Sequence, residues 1–247
     1  MMYMGSKKRL AKQLWDTIKK NVKVNKNTCF VDLFCGGCGM VSQVPLKNRI
    51  ANDLSTPLIS YLKRIVKDTS WMPTENFLSK EKYNYIKRNQ HLYDPSFLGY
   101  IGYNFSYAGS YFQGFCEKDN AKSNLALRTL KTAKKDAETL KGVEFFNTDY
   151  RNVPIPPKSI VYCDIPYKGT AKYNAIEGEF DYDAFFEYVK KLRADGHYVF
   201  ISEYSDEVPE GVIEVGAFER KSNMRNGGKS RLGKKFGKYE KFKKVSK

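Results

Sequence analysis

The chain has 247 residues, enough for one large α/β domain or a catalytic domain carrying a smaller insertion, and 41% of them are hydrophobic, enough to bury a core. A formal charge of +16 points to a polyanionic partner, most simply nucleic acid, and no apolar run approaches the roughly 20 residues that span a bilayer. The N-terminus, Met1 to Arg9, holds no apolar segment fit for a signal peptide, so a cytoplasmic location is expected.

Five cysteines include one lone C-x-x-C, Cys35 and Cys38, with no second pair at zinc spacing. His91 and His197 are the only histidines and lie far apart. Neither a metal site nor a disulfide is expected.

In chain order, Tyr3-Met4-Gly5-Ser6-Lys7 leads into an amphipathic helix over about 8–20, with Leu10, Leu14 and Ile18 on one stripe. Residues 28–34 read as a strand, followed by the turn Cys35-Gly36-Gly37-Cys38-Gly39 and a helix start at Met40-Val41-Ser42. Strand, glycine turn and helix make the first unit of a nucleotide-binding sheet, because glycines let the backbone approach a ligand closely. A dehydrogenase fingerprint counted from Gly37 and Gly39 would need a third glycine where Ser42 stands. A second strand over 49–52 ends in Asp53, near the ~20-residue spacing at which a carboxylate accepts ribose hydroxyls. Asp53 would also cap the helix through 58–62, with Pro57 near its start.

From 67 to 140 aromatic and basic residues interleave, and Gly109 marks the middle of an expected hairpin over 104–115. Lys87, Arg88, Asn104, Tyr107, Tyr111, Gln113 and Arg128 are candidates to meet phosphates and base edges. Packing of a helical subdomain accounts for most of the tyrosines. A strand over 143–146 leads to Asp149 and Tyr150. The buried central strand, 159–164, then delivers Asp164-Ile165-Pro166-Tyr167 to its carboxyl edge, where open α/β sheets keep their sites. A polar loop over 168–174, a helix over 182–192, a strand over 197–204 and a closing strand over 239–245 complete the reading. Between the last two strands lies a basic, glycine-rich segment with Lys229 and Arg231, suited to ordering on a phosphate backbone or to serving as a solubilising tail.

The tetrapeptide at 164–167 resembles the Asp/Asn-Pro-Pro-Tyr/Phe signature of the amino-group methyltransferases, with Ile165 in place of a proline. The order of N-terminal lysine segment, glycine turn, ribose acid, basic insertion and tetrapeptide resembles the Dam-type DNA adenine-N6 methyltransferases over nearly the whole chain. That resemblance implies an α/β fold: a Rossmann-like, mixed seven-stranded sheet with helices on both faces, plus a smaller, mainly helical target-recognition insertion with a β-hairpin. Residues 1–66 and 141–247 would form the catalytic domain and 67–140 the insertion.

The implied cofactor is S-adenosylmethionine, leaving as S-adenosylhomocysteine. Tyr3, Gly5, Ser6 and Lys7 match the family's N-terminal cofactor segment, and Asp32, Phe34, Cys35, Gly36, Gly37, Cys38 and Gly39 its methionine-portion loop. Asp53 would hold the ribose, and Asp149 with Tyr150 the cofactor's adenine. Asp164 and the carbonyl of Ile165 would accept the two N–H bonds of an adenine amine, beside Pro166, while Tyr167 stacks on a base flipped out of duplex DNA. A monomer in solution is expected, with a dimer on DNA as the alternative, and the compact size suits a phage, a mobile element or a restriction-modification system.

A cytosine-C5 enzyme would need a Pro-Cys pair, which the chain lacks. Cytosine-N4 or RNA adenine methylation shares the amine chemistry, and a DNA-binding descendant silenced by Ile165 is the non-enzymatic rival.

Overall fold

The computed structural model describes residues 1–116, 124–166, 180–203, 212–220 and 238–245. Helix α1 (Ala11–Asn21) precedes β1 (Cys29–Asp32), β2 (Asn48–Asn52) and α2 (Thr56–Lys67). Helices α3 (Lys80–Arg88), α4 (Pro95–Asn104) and α5 (Leu125–Leu140) lead to β3 (Val143–Phe146) and β4 (Ile160–Asp164). Helix α6 (Tyr182–Ala194), β5 (Tyr198–Glu203), β6 (Val212–Arg220) and β7 (Lys238–Val245) follow. Among the described residues no helix is long and apolar enough to cross a membrane.

The strands form one mixed sheet in the order β3-β2-β1-β4-β5-β7-β6. The first five in that order run parallel, and β7 and β6 pair antiparallel at the β5 edge. Strand residues alternate between two apolar layers. Phe30, Ala51, Ile160, Tyr162 and Phe200 face the layer of α1, α2, α4 and α5, whereas Val31, Ile50, Val161, Cys163 and Ile201 face α6 through Phe185, Val189 and Leu192. Burial on both faces explains why these strands read as continuous apolar runs.

The expected helix after the glycine turn is a single 3-10 turn, Val41–Gln43. Leu14, Trp15 and Ile18 of α1 belong to the same apolar layer, so a helix that precedes β1 supplies cover on this face. The expected hairpin over 104–115 is likewise replaced. One antiparallel bridge, Ser106 with Phe115, closes a loop whose left-handed positions at Ala108, Gly109 and Phe112 stop a strand ladder from extending. Tyr83, Ile86, Tyr100 and Phe105 from this part of the chain share the apolar cluster of α1, α2 and α5.

Helix α4 crosses α2 at very close range, so that a Cβ added at Gly99 would lie 2.1 Å from the Pro57 carbonyl oxygen and 2.7 Å from Tyr61 Cβ. Neither neighbour is a flexible side-chain end. Gly99→Ala should therefore lower the unfolding free energy by on the order of 1–3 kcal/mol in urea denaturation; unchanged stability would mean that the two helices separate without cost.

Candidate active site

Chain order sends β1, β2 and β3 outward in one direction before the chain returns to place β4 beside β1. A crevice opens at the carboxyl edge of such a switch point. Two acids stand there, Asp32 at the end of β1 and Asp164 at the end of β4. They line a cleft with Asp53, the glycine turn and the N-terminal segment.

Asp164 accepts two hydrogen bonds from the Lys7 ammonium, at 2.6 Å to Oδ1 and 2.8 Å to Oδ2. Lys7 is only 4% exposed. The lysine of the N-terminal segment is thus buried against the acid of the tetrapeptide. Asp32 is 1% exposed, and its Oδ1 has no partner among the described residues. Burial, with Asp164 and Asp53 adding to it, pushes the Asp32 carboxyl well above the usual range, and backbone hydrogen bonds from Phe34 and Val41 only partly oppose the shift.

Lys7 reaches Asp164 because the N-terminal segment lies directly on the glycine turn. A Cβ at Gly36 would come within 2.6 Å of the Tyr3 ring, one at Gly37 within 2.6 Å of Tyr3 Cβ, and one at Gly39 within 2.7 Å of Ser6 Oγ and 2.9 Å of the Lys7 amide nitrogen. The glycines therefore admit a stretch of this chain as well as leaving room for a ligand. Tyr3 also packs on Tyr103 of α4, with ring centroids 5.5 Å apart. The Met1 amino group and Lys8 both bond Asp136 of α5.

Asp53 accepts the Gly36 amide at 3.0 Å and the Ser55 amide at 2.9 Å, and burial raises its pKa against both bonds. Ser55, not Asp53, is the residue that precedes the first turn of α2, so the expected cap acts at one remove through the Ser55 amide. Asn52 went unnoticed in sequence. It is buried and binds the Leu33 and Thr148 carbonyls and the Thr148 amide, tying together the turns after β1, β2 and β3. Met40, Ser55, Tyr103 and Tyr162 also line the cleft without having been singled out. Their sequence signals were those of ordinary core and helix-start positions.

Of the remaining cofactor candidates, Tyr3, Gly5, Ser6, Phe34, Cys35, Gly36, Gly37 and Gly39 line the cleft, while Cys38, Asp149 and Tyr150 do not. Asp149 is held by the Arg151 guanidinium at 2.7 and 2.8 Å, which lowers its pKa. Tyr150 packs against Phe34 at 5.3 Å, just behind the lining. Pro166 lines the cleft and its carbonyl accepts the Tyr182 hydroxyl at 2.9 Å, whereas the Ile165 side chain is buried in the α6 layer. Tyr167 and the loop over 168–174 lie outside the described residues.

Among the candidates for nucleic-acid contact, Lys87, Arg88, Tyr107, Gln113 and Arg128 are exposed. Tyr111 is half-buried, with its hydroxyl on Gln90 at 2.7 Å. Asn104 corrects the sequence reading: it is buried at the end of α4, and its amide donates to the Tyr100 carbonyl at 3.1 Å, which removes it from any surface. Lys229 and Arg231 lie outside the described residues.

A model of the D12 class N6 adenine-specific DNA methyltransferases matches residues 3–210. The chain belongs to this family. Two solved structures of the rRNA methyltransferase aviRa from Streptomyces viridochromogenes are similar at 11% and 12% identity, with TM-scores of 0.45 and 0.47. The alignments cover 96% and 99% of this chain and 84% and 86% of those chains. No curated protein sequence matches.

Membership makes this chain a methyltransferase and implies S-adenosylmethionine as donor and DNA as substrate. The cleft fits such a donor, which carries a sulfonium and an ammonium. The unpartnered Asp32 oxygen is a buried acceptor whose charged form a cation would stabilise, and Asp53 keeps a carboxylate beside the glycine turn. Gly39→Ala should push the N-terminal segment off the turn and weaken S-adenosylmethionine binding roughly tenfold by calorimetry; an unaltered Kd would show that the segment yields freely.

Proposed function

We propose that the protein transfers a methyl group from S-adenosylmethionine to the N6 amine of an adenine flipped out of duplex DNA, as a site-specific, adenine-specific DNA methyltransferase. The observation that carries this reading is the Asp164 carboxylate, fixed by Lys7 at the carboxyl edge of β4 on the wall of the cleft.

An exocyclic amine is a poor nucleophile while its lone pair is delocalised into the ring. Acceptors that hold its N–H bonds favour a more tetrahedral nitrogen and so localise the pair. Asp164 is one acceptor in this reading, and the carbonyl of Ile165 is the other. Tyr167 stacks on the extruded base. When bound, the donor supplies a methyl group already made electrophilic by its sulfonium, so the chain contributes position and hydrogen-bond acceptors, with no covalent enzyme intermediate.

Asp32 would stand against the donor's positive charge, Asp53 would accept its ribose hydroxyls, and the backbone of Gly36, Gly37 and Gly39 would border its methionine portion. The segment Tyr3, Gly5, Ser6 and Lys7 closes the other side of the cleft. Tyr150 packs on Phe34 and Asp149 is held by Arg151, and a role for them towards the donor's adenine requires the side chains there to rearrange. The exposed residues Lys87, Arg88, Tyr107, Gln113 and Arg128, together with Lys229 and Arg231, are the proposed DNA face, which fits the net charge of +16.

Labelled methyl from S-adenosylmethionine should appear in unmethylated duplex DNA as N6-methyladenine on nucleoside analysis, and Asp164→Ala should lower the rate by roughly a hundredfold or more. Cofactor binding without any methylated base would point instead to an inactive DNA-binding descendant, and label in RNA alone would reassign the substrate. Affinity for duplex DNA should fall on the order of a thousandfold between about 50 and 200 mM salt; a flat salt response would remove the proposed phosphate contacts.

A further inference from the structure

The glycine turn carries two free thiols, Cys35 and Cys38, whose chemistry methyl transfer does not use. Both are buried in the same apolar cluster, whereas Cys29 and Cys163 belong to the opposite layer. The Cys38 amide donates to the Cys35 carbonyl at 2.8 Å, closing a four-residue turn through Gly36 and Gly37. Such a turn holds its first and last Cα atoms within about 7 Å, and a disulfide spans Cα separations of about 4.4–6.8 Å. The two thiols also hydrogen-bond to one another.

Cys38 is strained. Its φ of 57° lies in the left-handed region, which a residue with a Cβ occupies at an energetic cost and a glycine at none. The turn nonetheless carries a thiol at that position, between Gly37 and Gly39. Cys35 lines the cleft and Cys38 does not, so a small molecule in the cleft meets Cys35 first. The residue after the pair has no slack: a Cβ at Gly39 would lie 2.7 Å from Ser6 Oγ, 2.8 Å from the Lys8 amide nitrogen and 2.9 Å from that of Lys7. Movement at Cys38 therefore pushes on the N-terminal segment, whose Tyr3, Gly5, Ser6 and Lys7 wall the cleft.

We propose that Cys35 and Cys38 are a reversible dithiol–disulfide pair, oxidised by a small neutral peroxide that enters the empty cleft, and that joining them lowers the affinity for S-adenosylmethionine. The second half rests on the reading of the cleft as the donor's site. The Cys35 thiolate attacks one peroxide oxygen and the O–O bond breaks, leaving a Cys35 sulfenic acid and a hydroxide that takes up the proton Cys35 lost. The Cys38 sulfur then attacks the Cys35 sulfur, the S–O bond breaks, and water leaves with the Cys38 proton. The two thiols have given up two electrons and two protons, and the peroxide has become two waters. The sulfurs close from hydrogen-bonding range to about 2.05 Å, so the turn tightens beneath the N-terminal segment. Burial, with Cys38, Asp53 and Asp32 adding to it, pushes the Cys35 thiol well above its usual range, so the first step is slow and needs peroxide in excess.

Ligand-free protein treated with excess hydrogen peroxide should lose two hydrogens from the tryptic peptide over 27–47, with fragmentation placing the link between Cys35 and Cys38 and leaving Cys29 a thiol. Calorimetry should show affinity for S-adenosylmethionine falling roughly tenfold or more, and dithiothreitol should restore it. S-adenosylmethionine present during the treatment should slow the link, because it covers Cys35. In Cys38→Ser the sulfenic acid finds no thiol, so peroxide should carry Cys35 on to a sulfinic acid that dithiothreitol does not reverse.

A pair that stays reduced while the half-buried Cys116 is oxidised would overturn the proposal, and so would a Cys35–Cys38 link that leaves the Kd unchanged. Should Cys38→Ser fail to fold, the peptide map and calorimetry of the wild-type protein decide alone. Reduced wild-type protein that binds no S-adenosylmethionine would count against the donor's site, while the peptide map would still decide whether the two thiols join.

Discussion

The cleft depends on one steric constraint, the absence of side chains where the N-terminal segment crosses the glycine turn. Gly37 and Gly39 each bring backbone or a near-backbone atom of residues 3–8 to a distance that no Cβ tolerates, and Gly36 leaves room for the Tyr3 ring. Because the segment sits that low, Lys7 clears the turn and meets Asp164. Because Tyr3 lies against Tyr103, the same segment also joins the turn to α4, and the Met4 amide adds a bond to the Gly109 carbonyl at 3.3 Å. Glycine is the residue that permits two backbones to touch, at the cost of extra chain entropy on folding. Here that cost helps to assemble a cleft lined by five separated parts of the sequence.

The second feature is a concentration of acids in a place with little water. Among the described residues, Asp32, Asp53 and Asp164 line the cleft with the Lys7 ammonium. Burying a carboxylate without full hydrogen bonding is expensive, and the Asp32 oxygen without a partner carries that penalty. Such a site is poorly solvated when empty of cations and gains most from a ligand that brings positive charge. A cationic ligand would be favoured there over an anionic nucleotide, and the third glycine of the dinucleotide fingerprint is absent, with Ser42 in its place.

Much of the fold was legible because the sheet strands are short apolar runs bounded by turn residues. The strands through Cys29–Asp32, Asn48–Asn52, Val143–Phe146 and Ile160–Asp164 stand where periodicity placed them. What escaped was anything decided by contacts between distant segments. The helix expected at Met40 is a 3-10 turn because α1 already covers that face, and the hairpin around Gly109 gives way to a loop of left-handed positions. The family was readable from motif order, a property of the line of sequence. The structural roles of Asn52 and Asn104 were not, since a buried asparagine that satisfies backbone groups looks in sequence like any polar residue near the end of an element.

A second proline in the tetrapeptide would fix the backbone beyond Asp164 through its ring. In this chain the Ile165 side chain is buried in the α6 layer, in the same apolar cluster as Phe185 and Val189. The next carbonyl, that of Pro166, is held by the Tyr182 hydroxyl at the start of α6. Rigidity that a ring would supply covalently is thus supplied by packing and one hydrogen bond, both anchored on the same helix. Control of the backbone after Asp164 therefore rests in part on the seating of α6, so a change at Tyr182 or Phe185 should reach the cleft through that helix.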